Sequence, residues 1–199
     1  MHMPNPMNLG QAEDDRPRGG AAAARMPVLP RAEWTEAARD VFAFWGEPGA
    51  RENGSKTNMV MVLAHHPALA LSYYHFGRHL LIDSTLPARA RELVVLRVAW
   101  LVRSAYEWHY HVGYAVTLGF ALDEIAAIGI GPDAPGWNDI DRAVLRAVDE
   151  LHGSSQLSDQ TWAALAAPFD RRQIIDLVFT IGNYAVSYTH LTLPTKRIV

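Results

Sequence analysis

From Leu93 to Val102 the chain is apolar almost without a break, which predicts a helix buried on every side rather than an amphipathic one at the surface. Pro87 is read as its first helical residue, and Arg103-Ser104 interrupts the run before a second helix that reaches Leu118 and is closed by Gly119. Around this pair, apolar residues recur with helical spacing in several further segments. Trp34, Ala37, Ala38, Val41, Phe42 and Trp45 predict a helix over 33–46, and Thr57-Asn58 opens a short one ending near His65. His66-Pro67 divides that helix from a broadly apolar one over 67–82. Short helices follow near 123–128 and from Ser158-Asp159 through Leu165, with a longer one capped by Asn138 or Asp139 and running to His152. Asp170 opens the last, in which Ile174, Leu177, Val178 and Ile181 share a face. Segments 48–56 and 129–136 are Gly- and Pro-containing and read as loops. No stretch alternates long enough to be a strand, so the expectation is all-α.

The ends read differently. Residues 1–31 are rich in Pro, Gly, Ala and charge without any apolar period, and are expected to form a disordered arm, with Met26 an alternative start. The domain is expected over 32–186. Residues 187–199, Thr-rich and interrupted by Pro194, are poor helix material and resemble a translated cloning scar.

Composition narrows the class. At 199 residues, 49% of them hydrophobic, the chain suffices for one well-filled core. A net charge of −3 with scattered Lys and Arg gives no footprint for nucleic acid or an anionic membrane. No cysteine occurs, which excludes disulfides, thiolate metal sites and thiol redox chemistry. Apolar runs fall short of the roughly 20 residues of a spanning helix, and the N-terminus lacks the apolar region of a secretory signal. A soluble, cytoplasmic protein is expected.

Chemistry gathers in Ser104-Ala105-Tyr106-Glu107-Trp108-His109-Tyr110-His111. Ser104-x-x-Glu107 is a capping-box pattern, and Glu107 and His111 lie four apart on one helical face. A carboxylate beside an imidazole at a buried helix start can hold and pass a proton, each favouring the other's charged form. Glu92, an ionisable group at the edge of the apolar run, is costly there unless paired or used. Spacing alone leaves a second reading open for each: Glu107 as a cap, His111 as a core histidine, Glu92 as a first-turn acid facing water. His75 and His79 are four apart but lack a third ligand, so packing or substrate contact is favoured over metal. Arg91, Arg97 and Arg103 are read as solvated or paired.

On Arg91-Glu92-Leu93 followed by Tyr106-Glu107-Trp108-x-x-His111, the chain from about Pro48 to Tyr184 resembles the carboxymuconolactone decarboxylase family, which includes the alkylhydroperoxidase D-like proteins. The peroxidase branch carries a Glu, a Cys-x-x-Cys and a His; Glu92 and His111 match the first and last, while Ser104 and Glu107 stand where the cysteines would be. The decarboxylase branch keeps Glu-x-x-x-His, as Glu107 and His111 do. The resemblance implies a single-domain helical bundle of the alkylhydroperoxidase D-like type, packed as a homo-oligomer. It also implies loss of carbon dioxide from a small lactone or keto acid without metal or organic cofactor, followed by protonation of an enolate-like carbanion. His111, Glu107 and Glu92 are then the catalytic candidates, and Ser104, Tyr106 and His79 the candidate substrate contacts. A non-catalytic oligomeric binding module, or a divergent peroxidase-like protein without its cysteines, is the alternative.

Overall fold

The structure, a computed structural model, describes residues 26–191, with the side chains of Tyr106 and of residues 187–191 excepted. Ten α-helices and no strand occur among the described residues. They fall into two compact units, residues 26–81 and residues 82–188.

The first unit holds a 3-10 turn at Arg31–Glu33, then α1 (Glu36–Ala43), α2 (Ala50–Asn53), α3 (Asn58–Leu63) and α4 (Pro67–Arg78). Its core is Leu29, Val41, Phe42, Val60, Met61 and Tyr74 with small alanines between them. Leu29, which falls within the segment expected to be an arm, is buried and its N–H donates to the Met61 carbonyl. Trp34 lies outside α1: Thr35 takes an extended conformation, and its Oγ1 accepts from Ala38 N, which fixes the helix start at Glu36. Freed from the helix, Trp34 packs edge-on against Phe42 at 4.9 Å and donates Nε1–H to the Leu29 carbonyl. α2 falls in the segment read as loop, a single turn between Gly49 and Gly54, too short to show a period. A π turn, His79–Asp83, follows α4.

The second unit holds α5 (Ala88–Leu101), α6 (Ala105–Thr117), α7 (Leu122–Ile130), α8 (Asp139–Ser154), α9 (Asp159–Ala166) and all but the last three residues of α10 (Arg171–Leu191). α5 is the centre, with every residue from Ala90 to Ala99 buried and α6, α7 and α8 packed around it. Pro87 stands just before the helix rather than in it. Two ionic clamps fasten this unit. Arg97, 6% exposed, forks onto Asp149 at 2.7 and 2.9 Å and donates Nη1–H groups to the Ile128 and Gly129 carbonyls, satisfying the C-terminal end of α7. Asp176, on α10, accepts from Thr85 N, Thr85 Oγ1 and Ser84 Oγ, pinning α10 to the loop that leads into α5. α10 continues to Leu191, past the Val186 limit expected from composition. An established helix adds each further residue with one more hydrogen bond and no new nucleation, so weak formers are carried along. Residues 1–25 and 192–199, on which the arm and most of the tail expectations fall, lie outside the described residues.

Candidate functional site

The site is built on the α5–α6 hairpin. α5 ends in a Schellman motif: Ser104 N donates to the Ala99 carbonyl at 2.9 Å and Arg103 N to the Trp100 carbonyl at 3.1 Å, with Arg103 in the left-handed region at φ 56°. Ser104 is at once the end of that motif and the N-cap of α6, its Oγ accepting from Glu107 N. Glu92 lies eleven residues before Arg103 and His111 eight after it, an axial offset of about 4.5 Å that long side chains span.

The two side chains meet. His111 Nδ1 is 2.7 Å from Glu92 Oε2, the Glu92 side chain being 0% and that of His111 11% exposed. The direct partner of the imidazole is therefore Glu92. Glu107, expected in that role, faces the other ring nitrogen, with Oε2 3.7 Å from Nε2, and is slightly more open at 14%. The capping box forms only by half, since Ser104 accepts from Glu107 N while the Glu107 carboxylate turns towards His111. The water-facing reading of Glu92 is overturned: in a helix buried on every side, no face is left for it to reach solvent.

Three groups outside the sequence-level set complete the cluster. Arg91 is 4% exposed, its Nη2 donates to Tyr114 Oη at 3.2 Å, and its Nε lies 3.6 Å from Glu92 Oε1. Neither that Nε nor that Oε1 has a hydrogen-bond partner among the described residues. The Tyr184 ring of α10 meets the imidazole edge-on at 5.4 Å. Arg91 carried one signal in the sequence, a second ionisable residue beside Glu92 where the apolar run begins; Tyr114 and Tyr184 carried none, because only tertiary packing brings them in.

The electrostatics follow from the geometry. Burial works against a charge on His111, but the carboxylates of Glu92 and Glu107 outweigh it and hold its pKa above the ordinary value, with Arg91 opposing them. Burial raises Glu107, and the imidazolium draws it partly back. With Glu92 ionised, its oxygen accepts, so the hydrogen sits on Nδ1 and Nε2 is left as the nitrogen that gains and loses a proton.

Ser104 is placed as a cap at the edge of this cluster. The side chain of Tyr106 lies outside the described residues. His79 belongs to the first unit, where it opens the π turn. His75, in the same unit, packs edge-on against Phe44 at 4.9 Å. Among the described residues no group of three or more His, Asp or Glu side chains is arranged to hold a metal ion, and no helix is long and apolar enough to cross a membrane.

The sequence matches the carboxymuconolactone decarboxylase family over residues 67–150, a span that contains Arg91, Glu92, Glu107 and His111. Two solved structures share the fold. One, from Ralstonia eutropha JMP134, is described as an alkylhydroperoxidase AhpD core, an uncharacterized peroxidase-related protein; it is 18% identical with a TM-score of 0.64, covering 84% of this chain and 88% of its own. The other, ATU0492 from Agrobacterium tumefaciens, is described as a protein of unknown function and putative antioxidant defence protein AhpD; it is 18% identical with a TM-score of 0.59, covering 69% of this chain and 95% of its own. No curated protein matches.

Proposed function

We propose that the chain, which matches the carboxymuconolactone decarboxylase family over residues 67–150 and shares the fold of alkylhydroperoxidase D-like proteins, is a lyase or isomerase of small carboxylated lactones or keto acids, working by proton transfer through His111. The observation that carries the reading is the 2.7 Å contact between a fully buried carboxylate and an imidazole whose second nitrogen faces another carboxylate.

In the lyase form, the bond between the substrate carbon and its carboxylate breaks, carbon dioxide leaves, and the electron pair delocalises into the neighbouring carbonyl as an enolate. His111 Nε2–H then protonates the carbon. Glu92 holds the Nδ1–H, fixes the ring and stabilises the imidazolium; Glu107, nearer solvent, returns a proton to Nε2. One proton is consumed for each carbon dioxide released. In the isomerase form the same nitrogen removes a proton from one carbon and delivers it to another. On this reading no metal or organic cofactor takes part and the subunits associate as a homo-oligomer.

A screen of small lactone and keto acids for carbon dioxide release and double-bond migration tests it. On any substrate found, His111→Ala and Glu107→Gln each lower kcat at least about 100-fold with the helical circular dichroism unchanged. Unaltered rates in either variant overturn the assigned roles, and an inert protein across the whole screen overturns the enzyme reading in favour of a binding module.

A further inference from the structure

Glu92 has two oxygens and they are unequally occupied. Oε2 takes the Nδ1–H of His111, while Oε1 faces Arg91 Nε at 3.6 Å with no hydrogen bond closed between them. A buried carboxylate with a single titratable partner holds that partner in its charged form, since release of the proton would strand the negative charge away from water. Such an imidazole is a poor proton donor. A permanently charged guanidinium on the other oxygen removes this obstacle.

We infer that Arg91 is the positioning residue that frees the proton of His111, its Nε–H closing onto Glu92 Oε1 as the imidazole becomes neutral. The required movement is about 0.7 Å, from the present separation to an ordinary hydrogen bond. Tyr114 keeps the contact open in the resting state: its Oη accepts from Arg91 Nη2 at 3.2 Å, and its ring lies 6.0 Å below the guanidinium, so Arg91 is anchored beside the carboxylate rather than collapsed upon it. The charged groups acting on His111 are Glu92 and Arg91 from α5 and Glu107 from α6, and the ring packed against it from α10 is Tyr184. Of these, Arg91 alone carries a guanidinium, which pairs with a carboxylate through fixed N–H donors.

The inference rests on His111 as the proton-transfer group, but its test reads protonation and not turnover. Nitrogen-15 NMR of the full chain, titrated from about pH 5 to about pH 9, follows the His111 ring nitrogens and the Arg91 Nε–H, each assigned by comparison with His111→Gln and Arg91→Gln. In the wild type the Arg91 Nε–H resonance shifts with the His111 midpoint. Arg91→Gln raises that midpoint by about one pH unit or more, and Arg91→Lys, which keeps the charge, leaves it within about half a unit. An Arg91 signal that stays still while His111 titrates overturns the inference, as does a folded Arg91→Gln with an unmoved midpoint. Should Arg91→Gln not fold, the wild-type titration decides alone. Inert substrates with a moving Arg91 signal defeat the reaction and spare the counter-ion; turnover with a still signal does the reverse.

Discussion

At the scale of single residues, the site is a matter of which partner a buried charge would be left with. His111→Ala strands the Glu92 carboxylate, at 0% exposure, and is expected to cost about 3–5 kcal/mol of stability. Glu107→Gln removes a carboxylate that burial already disfavours and leaves the Glu92–His111 bond in place, so it is expected to cost less than about 1 kcal/mol. Urea denaturation of the two variants checks the order, and a Glu107→Gln loss as large as that of His111→Ala would show that Glu107 and not Glu92 carries the pairing. The sequence made part of this legible. Glu107 and His111 are four apart, and their helical neighbourhood can be read directly. Glu92 is nineteen residues from His111, and nothing in spacing distinguishes a hydrogen-bonded partner from a first-turn acid; only the apolar run around it marks the position as expensive for a charge. Resemblance to a family ties the two together, and only the folded chain sets Glu92 against the imidazole while Glu107 stands off.

At the scale of elements, the hairpin turn is where local chemistry and the site's geometry are joined. Gly119 closes α6 with the same pair of bonds that closes α5, Phe120 N to the Ala115 carbonyl and Gly119 N to the Val116 carbonyl, at φ 90°. α5 uses Arg103 for the corresponding left-handed position, where a Cβ costs about 1–2 kcal/mol. Arg103→Gly is therefore expected to stabilise the protein by about 0.5–1 kcal/mol once the greater freedom of glycine in the unfolded chain is set against the relief. The measurement is the urea midpoint, which rises at constant slope, while Arg103→Ala brings no gain. A lower midpoint for the glycine variant would mean that the Arg103 side chain contributes more than its backbone costs. Gly119 was readable as a cap because glycine announces the conformation; Arg103 announces nothing. The same contrast explains the other elements. α8 and α10 show their periods over three turns or more and α5 shows as an unbroken apolar run, whereas α2 is one turn long and the spacing of Trp34 fits a helical pattern although Thr35 caps α1 after it.

For the whole molecule, the consequence of a proton-holding cluster is a stability that depends on pH in a stated direction. His111 and Glu107 both have folded pKa values above their ordinary values of 6.5 and 4.5. Where such groups titrate, the folded state binds more protons than the unfolded one, and stability falls as pH rises. Their contribution is fully present below pH 4.5 for Glu107 and below pH 6.5 for His111, and each is lost as pH passes through the group's raised folded value. Surface carboxylates act with the opposite sign. The Ala121 N–H and then Arg89 lower Glu124, and the Gln173 and Arg172 N–H groups lower Asp170, so the stability they lend is present above about pH 4 to 4.5 and lost on acidification. The two limbs enclose a maximum on the acid side of neutrality. Thermal denaturation across about pH 4 to pH 9 should show Tm declining from near pH 6.5 upward, and His111→Gln, although less stable throughout, should lose the slope of that decline because its side chain no longer titrates. A wild-type Tm that climbs steadily from pH 6.5 to pH 8 would mean that the imidazole is held neutral in the fold, with burial winning over the carboxylates, and the proton that the proposed reaction needs would not be there to give.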